Sequence, residues 1–157
     1  MLIIPTPLTA EAFAPYGHVL QCPRQPARQY HDPILANLRG SGASPSLSLI
    51  TVAPTALPLR LTALERHAYS SQTFIPLDVA AYVVIVAPRA PDGGPDGGAA
   101  QAFLAGPEQA VSYHADTWHH GLTVLERQAR FAILMWRAGD DGDEEFRPIA
   151  PVSVAGV

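Results

Sequence analysis

An antiparallel all-β barrel or sandwich with one short N-terminal helix is the fold class that this sequence predicts. Three observations lead there. Short runs rich in Val, Ile, Leu and aromatics recur at roughly ten-residue spacing. Glycine and proline clusters separate them, from totals of 12 Gly and 16 Pro. Only the stretch Pro7–Gly17 carries both helix-start and helix-stop signals.

In that stretch Thr9 is the expected N-cap, Glu11 and Ala12 fall in the first turn, and Pro15 and Gly17 end the helix. His18–Gln21 reads as the first strand, and the polar, proline-punctuated residues 22–32 read as a loop reaching across the molecule. Residues 40–46 predict a turn. The next strands are expected at Leu47–Ala53, Leu59–His67, Ser71–Leu77 and Tyr82–Ala87. Tyr82–Ala87 is apolar at every position, so both of its faces should be buried in the middle of a sheet. Pro91–Gly98 repeats Pro-Asp-Gly-Gly and predicts a flexible hairpin loop. Gln101–Ala105, Ala110–His114 and Phe131–Trp136 complete the strands. The apolar, proline-spaced tail beyond Phe146 is expected to pack on the sheet or on a partner subunit.

The bulk numbers bound the function. A chain of 157 residues with 48% hydrophobic and 15% charged residues is expected to form one soluble domain with a real core. No apolar run approaches the length of about eighteen residues that spanning a membrane requires. The first residues, Met-Leu-Ile-Ile-Pro-Thr-Pro, lack the basic region of a signal peptide. Cys22 is the single cysteine, which excludes an internal disulfide and fits a cytoplasmic location. The net charge is −4, and the acids of Asp140–Glu145 are expected to form a solvated loop. No basic stripe exists to attract nucleic acid. All 10 cationic residues are arginines, so lysine Schiff-base chemistry and a P-loop are excluded.

The chemistry gathers in Val111–Leu122, which holds His114, His119 and His120, three of the six histidines. Clustered imidazoles near strand ends point to metal coordination or proton transfer. On an extended strand Glu65 and His67 share one face, with Leu61 at the same parity, and Arg66 takes the other. Gln72 follows across a short turn. His119 and His120 are adjacent and so face opposite sides, with His119 expected inward. A turn at Asp116-Thr117 is needed if His114 is to join them.

The pattern Glu65-x-His67, Gln72, Gly106 and His119 resembles the two-part signature of the cupin superfamily, with His114 at the usual proline and Asp116 at the usual glycine. This likeness implies that Glu65, His67, Gln72 and His119 are metal ligands. Pro7–Gly17, Tyr30-His31-Asp32, Leu64-Glu65-Arg66-His67, Gln72–Pro76 and Val111–His120 together are similar to the ureidoglycolate lyase family. The resemblance runs from about Pro7 to Arg137. It implies a cupin-type β-barrel (a double-stranded β-helix or jelly roll), a homodimer, and cleavage of (S)-ureidoglycolate to glyoxylate and urea in allantoin breakdown. It also suggests nickel, while zinc, manganese or iron suits such a ligand set too. Familiar members carry Asp-Arg after the last core strand, where this chain has Trp136-Arg137.

That reaction needs a base for the hydroxyl proton and an acid for the departing urea, tasks that suit histidine. His114 or His120 is the expected proton carrier, with His119 also a catalytic candidate. Gln72, Tyr30 and Arg137 are the candidates for substrate binding, arginine because it grips carboxylates in bidentate fashion. Two other readings use the same residues: a different metal-dependent cupin enzyme, such as a dioxygenase or isomerase acting on a small hydroxy acid, and a non-catalytic cupin that binds a small carboxylate.

Overall fold

The computed structural model describes residues 1–156. In chain order its strands are β1 (Leu2–Ile3), β2 (Thr6–Pro7), β3 (Gly17–Leu20), β4 (Ser44–Val52), β5 (Leu59–Arg66), β6 (Gln72–Pro76) and β7 (Tyr82–Ala87). They continue as β8 (Gln101–Ala105), β9 (Ala110–Tyr113), β10 (Trp118–His119), β11 (Thr123–Val124), β12 (Ala129–Arg137) and β13 (Glu145–Val154). Helix α1 spans Ala10–Phe13, and the Thr9 hydroxyl accepts from the Ala12 amide at 3.2 Å. The expected mainly β architecture with a short N-terminal helix is the one observed. No helix among the described residues is long and apolar enough to cross a membrane.

Two curled sheets enclose the core. One runs β1-β13-β5-β10-β7-β8-β2, with β11 also on β7; the other runs β3-β9-β6-β12-β4. Phe13, Phe74, Tyr82, Val84, Val86, Phe103, Val111, Tyr113 and Phe131 fill the space between them. A second apolar cluster, including Leu61, Leu64, Val83, Ile85, Trp118, Val152 and Val154, lies on the other face of the larger sheet. Strand β7 explains its own composition: Tyr82, Val84 and Val86 enter the first cluster, while Val83, Ile85 and Ala87 enter the second. Burying both faces is what a continuous apolar strand requires.

Four local expectations need correction. β4 begins at Ser44, inside the segment read as a turn. It pairs only with β12, and an edge position tolerates Pro45, which lacks an amide donor. The residues beyond Phe146 do pack on the sheet as expected, as the later part of a ten-residue strand, β13, whose pairing with β5 is irregular between Pro148 and Val152. Leu61 packs with Leu64 in the outer cluster, so alternation along β5 breaks and Leu61 does not share the face of Glu65. The Pro-Asp-Gly-Gly loop is tied down, because the Gly93 carbonyl accepts from Trp118 Nε1 at 3.2 Å.

The acidic run is the fourth, at one residue: Asp140, Asp141 and Glu144 are exposed as expected. Asp143 is buried, and its carboxylate accepts from the Ala138 and Gly139 amides at 2.8 and 2.7 Å. A charged acceptor for two otherwise unpaired amides bends the chain back into β13. Asp143→Ala should therefore lower unfolding stability by about 1–3 kcal/mol, measured by urea denaturation. At Gly17 an added Cβ would stand 2.1 Å from the Ser112 carbonyl oxygen and 2.9 Å from the Phe13 ring. Gly17→Ala is expected to cost about 1–3 kcal/mol by forcing β3 away from β9, and an unchanged midpoint would contradict that packing.

Candidate metal and substrate site

Both parts of the site lie where the chain steps from one sheet to the other, at residues 67–71 and 114–117. The Asp116 amide donates to the His67 carbonyl at 2.9 Å and joins the two crossings. Asp116 has φ 72°, the left-handed conformation that favours glycine. Its carboxylate bonds to Arg66 at 2.6 Å and to Arg89. Those ion pairs hold an acidic residue in a backbone position that a glycine would fill without them. The Arg66 guanidinium also lies 4.6 Å from the Trp118 ring centroid.

From this turn β10 runs between β5 and β7, which places His119 opposite Glu65. Cross-strand partners point the same way, so the His119 ring meets the Glu65 carboxylate, with Nε2 and Oε1 3.4 Å apart. His119 is the inward member of the His119-His120 pair, 1% exposed and stacked on Tyr113 at 4.2 Å between ring centroids. Gln72 Oε1 lies 3.1 Å from the same Nε2. The His67 ring is 5.5 Å from that of His119. One ligand atom from each of Glu65, His67 and His119 falls within 4.8 Å of the others.

Backbone carbonyls set the tautomers. His119 Nδ1 lies 2.9 Å from the Thr117 carbonyl and His67 Nδ1 lies 2.7 Å from the Asp143 carbonyl. A carbonyl only accepts, so each Nδ1 carries the proton and each neutral ring presents an Nε2 lone pair. His67 Nε2 is buried and has no hydrogen-bond partner among the described residues. The Nε2 of His119 faces oxygens of Glu65 and Gln72. With both rings neutral, four electron-rich atoms converge, and a divalent cation satisfies all of them.

Charge states agree with that use. Burial holds His67 below the usual imidazole range and favours the neutral ligand form. Burial works against ionisation of Glu65, and where a proton on His119 Nε2 takes the cation's place its hydrogen bond and charge outweigh that, keeping Glu65 below the usual carboxylate range. Burial pushes the Tyr113 phenol far up, so a neutral ring stacks on His119.

A cavity of about 190 Å³ opens beside this cluster, and its lining includes His67, Gln72, Arg137, Ser46, Ser48 and Glu144. Arg137 also lies 3.5 Å from Asp143 Oδ2. His120 borders a neighbouring cavity with Glu65, and its Nδ1 lies 3.1 Å from both the Gly121 carbonyl and the Thr123 hydroxyl. Burial holds His120 below the usual imidazole range.

Two expected residues are not brought in. His114 is exposed; its ring packs edge-on against His18 at 4.8 Å and its Nε2 reaches the Ala14 carbonyl at 3.2 Å. The turn at Asp116 does form, but it follows His114 on the outer side of β9, so His114 is corrected to a surface residue. Tyr30 is 69% exposed and bonds to Arg28 in the 22–32 loop, outside this cavity. Glu144, Ser46 and Ser48 were not singled out by the sequence. Partial desolvation and the neighbouring Glu65 carboxyl hold Glu144 above the usual carboxylate range.

Comparison with known proteins places this arrangement. A family profile described as ureidoglycolate lyase matches residues 1–154. A ureidoglycolate lyase of Mesorhizobium japonicum is 38% identical over 89% of this chain and 89% of its own. Another from Burkholderia mallei is 36% identical over 85% of this chain and 81% of its own. A third from Brucella melitensis is 32% identical over 89% of this chain and 86% of its own. Among solved structures, the chain is similar to a dTDP sugar isomerase from Desulfovibrio desulfuricans, with a TM-score of 0.48, 17% identity, and coverage of 85% and 82%. With the profile matching this chain nearly end to end and relatives above 30% identity, the chain belongs to the ureidoglycolate lyase family.

Proposed function

We propose that the chain cleaves ureidoglycolate to glyoxylate and urea at the cavity beside Glu65, His67 and His119. The observation that carries this reading is the convergence of two imidazole lone pairs and a carboxylate next to Arg137, in a chain of this family. Ureidoglycolate has one carbon bearing a hydroxyl, a carboxylate and the ureido nitrogen. The hydroxyl gives up its proton, its O–H electrons form the carbonyl of glyoxylate, and the C–N bond breaks. The nitrogen keeps that electron pair and takes a proton to become urea.

Each group then has a role. Arg137 binds the substrate carboxylate through its guanidinium. Glu65, His67 and His119 would hold a divalent metal, with the Gln72 side-chain oxygen beside them as a fourth donor. That metal supplies positive charge that lowers the pKa of a hydroxyl near it. His120, beside Glu65 in the adjoining cavity, carries protons between the site and solvent. Nickel, zinc, manganese and iron all suit two imidazoles and a carboxylate, and metal analysis of the purified protein identifies which one is held.

A homodimer forms the second part of the reading. Leu47 and Leu49 on β4 are 70% and 75% exposed, and Ile75 on β6 is 41% exposed. Register aligns Leu49 with Ala132 and Ala132 with Ile75, so this apolar surface crosses three strands on the outer face of the smaller sheet. A second copy is the occupant that suits this face. The exposed Cys22 adds support for a reducing, cytoplasmic compartment.

His67→Ala and His119→Ala should each abolish metal retention. They should cut release of urea and glyoxylate by more than the roughly 10–100-fold cost of losing a supporting partner. Folded variants with wild-type turnover would sink the assignment, and oxygen consumption by an iron-bound protein would favour a dioxygenase instead. Leu49→Asp should leave the fold intact and halve the mass seen by light scattering; a wild-type protein of monomer mass would remove the dimer from the reading.

A further inference from the structure

We infer that Ser46, Ser48 and Glu144 form the pocket for the ureido group, so that the edge strand and the acidic loop select the substrate. This inference rests on the reading of the site given above. The cavity floor is the inner face of the smaller sheet. Register aligns Ser46 with Met135 and Met135 with Gln72, so Ser46 stands in the row that ends at the metal cluster. Ser48 aligns with Ile133 one row further along. From the opposite side, the turn built around Asp143 brings Glu144 to the mouth, beside Glu65 and within the field of Arg137.

The groups divide by chemistry. Arg137 is the cation lining this cavity and takes the substrate carboxylate. The reacting hydroxyl belongs near His67, Gln72 and Glu65. What remains is a neutral ureido tail with one carbonyl and several N–H donors. Serine hydroxyls donate to the carbonyl, and the Glu144 carboxyl accepts from the N–H groups. Such a pocket rejects an analogue without the tail, because its own polar groups are then left unpaired.

Two probes separate the halves of the substrate. Ureidoacetate keeps the carboxylate and ureido group but lacks the reacting hydroxyl, so it binds without being cleaved. Glycolate keeps the carboxylate and hydroxyl but lacks the ureido group. Calorimetry on nickel-reconstituted protein should show Glu144→Ala weakening ureidoacetate by about tenfold and Ser48→Ala by about threefold, the range for single hydrogen bonds. Glycolate affinity should stay within about twofold of wild type in both, and Arg137→Ala should weaken both ligands. KM for ureidoglycolate should rise in step with the loss of ureidoacetate binding.

Equal weakening of glycolate and ureidoacetate in Glu144→Ala would show that Glu144 acts through Glu65 and would overturn the inference. So would unchanged ureidoacetate binding in both variants of a wild-type protein that releases urea and glyoxylate; the lyase reading would then survive alone. A wild-type protein that binds neither probe and releases no urea overturns both.

Discussion

His119 gives its Nδ1 proton to the Thr117 carbonyl and His67 gives its own to the Asp143 carbonyl, and the rest of the site depends on these two bonds. They decide which nitrogen of each buried ring carries a lone pair. They also decide where that lone pair points. Each carbonyl belongs to an irregular segment, the crossing before β10 in one case and the acidic loop before β13 in the other. The shape of two loops is therefore transmitted directly to the chemistry of two rings.

Such a cluster works against stability. Burying imidazoles and a carboxylate is unfavourable when their polar atoms lack partners, and His67 Nε2 has none among the described residues. The surrounding frame offsets that cost. β7 is buried on both faces, Phe131 and Phe74 close the core beneath the cavity, and the Tyr113 ring covers His119. Asp116 binds the two crossings through His67, Arg66 and Arg89, so the histidines cannot drift apart without breaking ion pairs at the surface. A strong frame around an unsatisfied centre is the pattern expected where structure serves ligand binding.

Much of the fold was legible because it obeys short-range rules. Period-two alternation, turn residues and a capped first helix located most of the strands to within a few residues. The misses have physical causes. β4 began early because an edge strand tolerates proline. Leu61 fell on the wrong face because an irregular pairing with β13 shifts the alternation, and no local signal in β5 announces it. His114 looked catalytic by proximity to His119, but five residues and a left-handed turn carry the two onto different elements.

Taken alone, the sequence determined eight of the strands, the all-arginine cation set and the parity that brings Glu65 and His67, one residue past the end of β5, to the same side, since each follows from composition or a period of two. The resemblance carried by its motifs then named Gln72 and His119 as their partners. Tertiary structure decided what spacing cannot: that His120 borders Glu65 while His114 and Tyr30 lie outside, and that Arg137 lines the cavity. It also brought two residues of an otherwise solvated acidic run, Asp143 and Glu144, to the wall of that cavity. The reason is that a buried carboxylate at Asp143 gathers two backbone amides, and that bond is set by the path of the folded chain rather than by neighbouring residues.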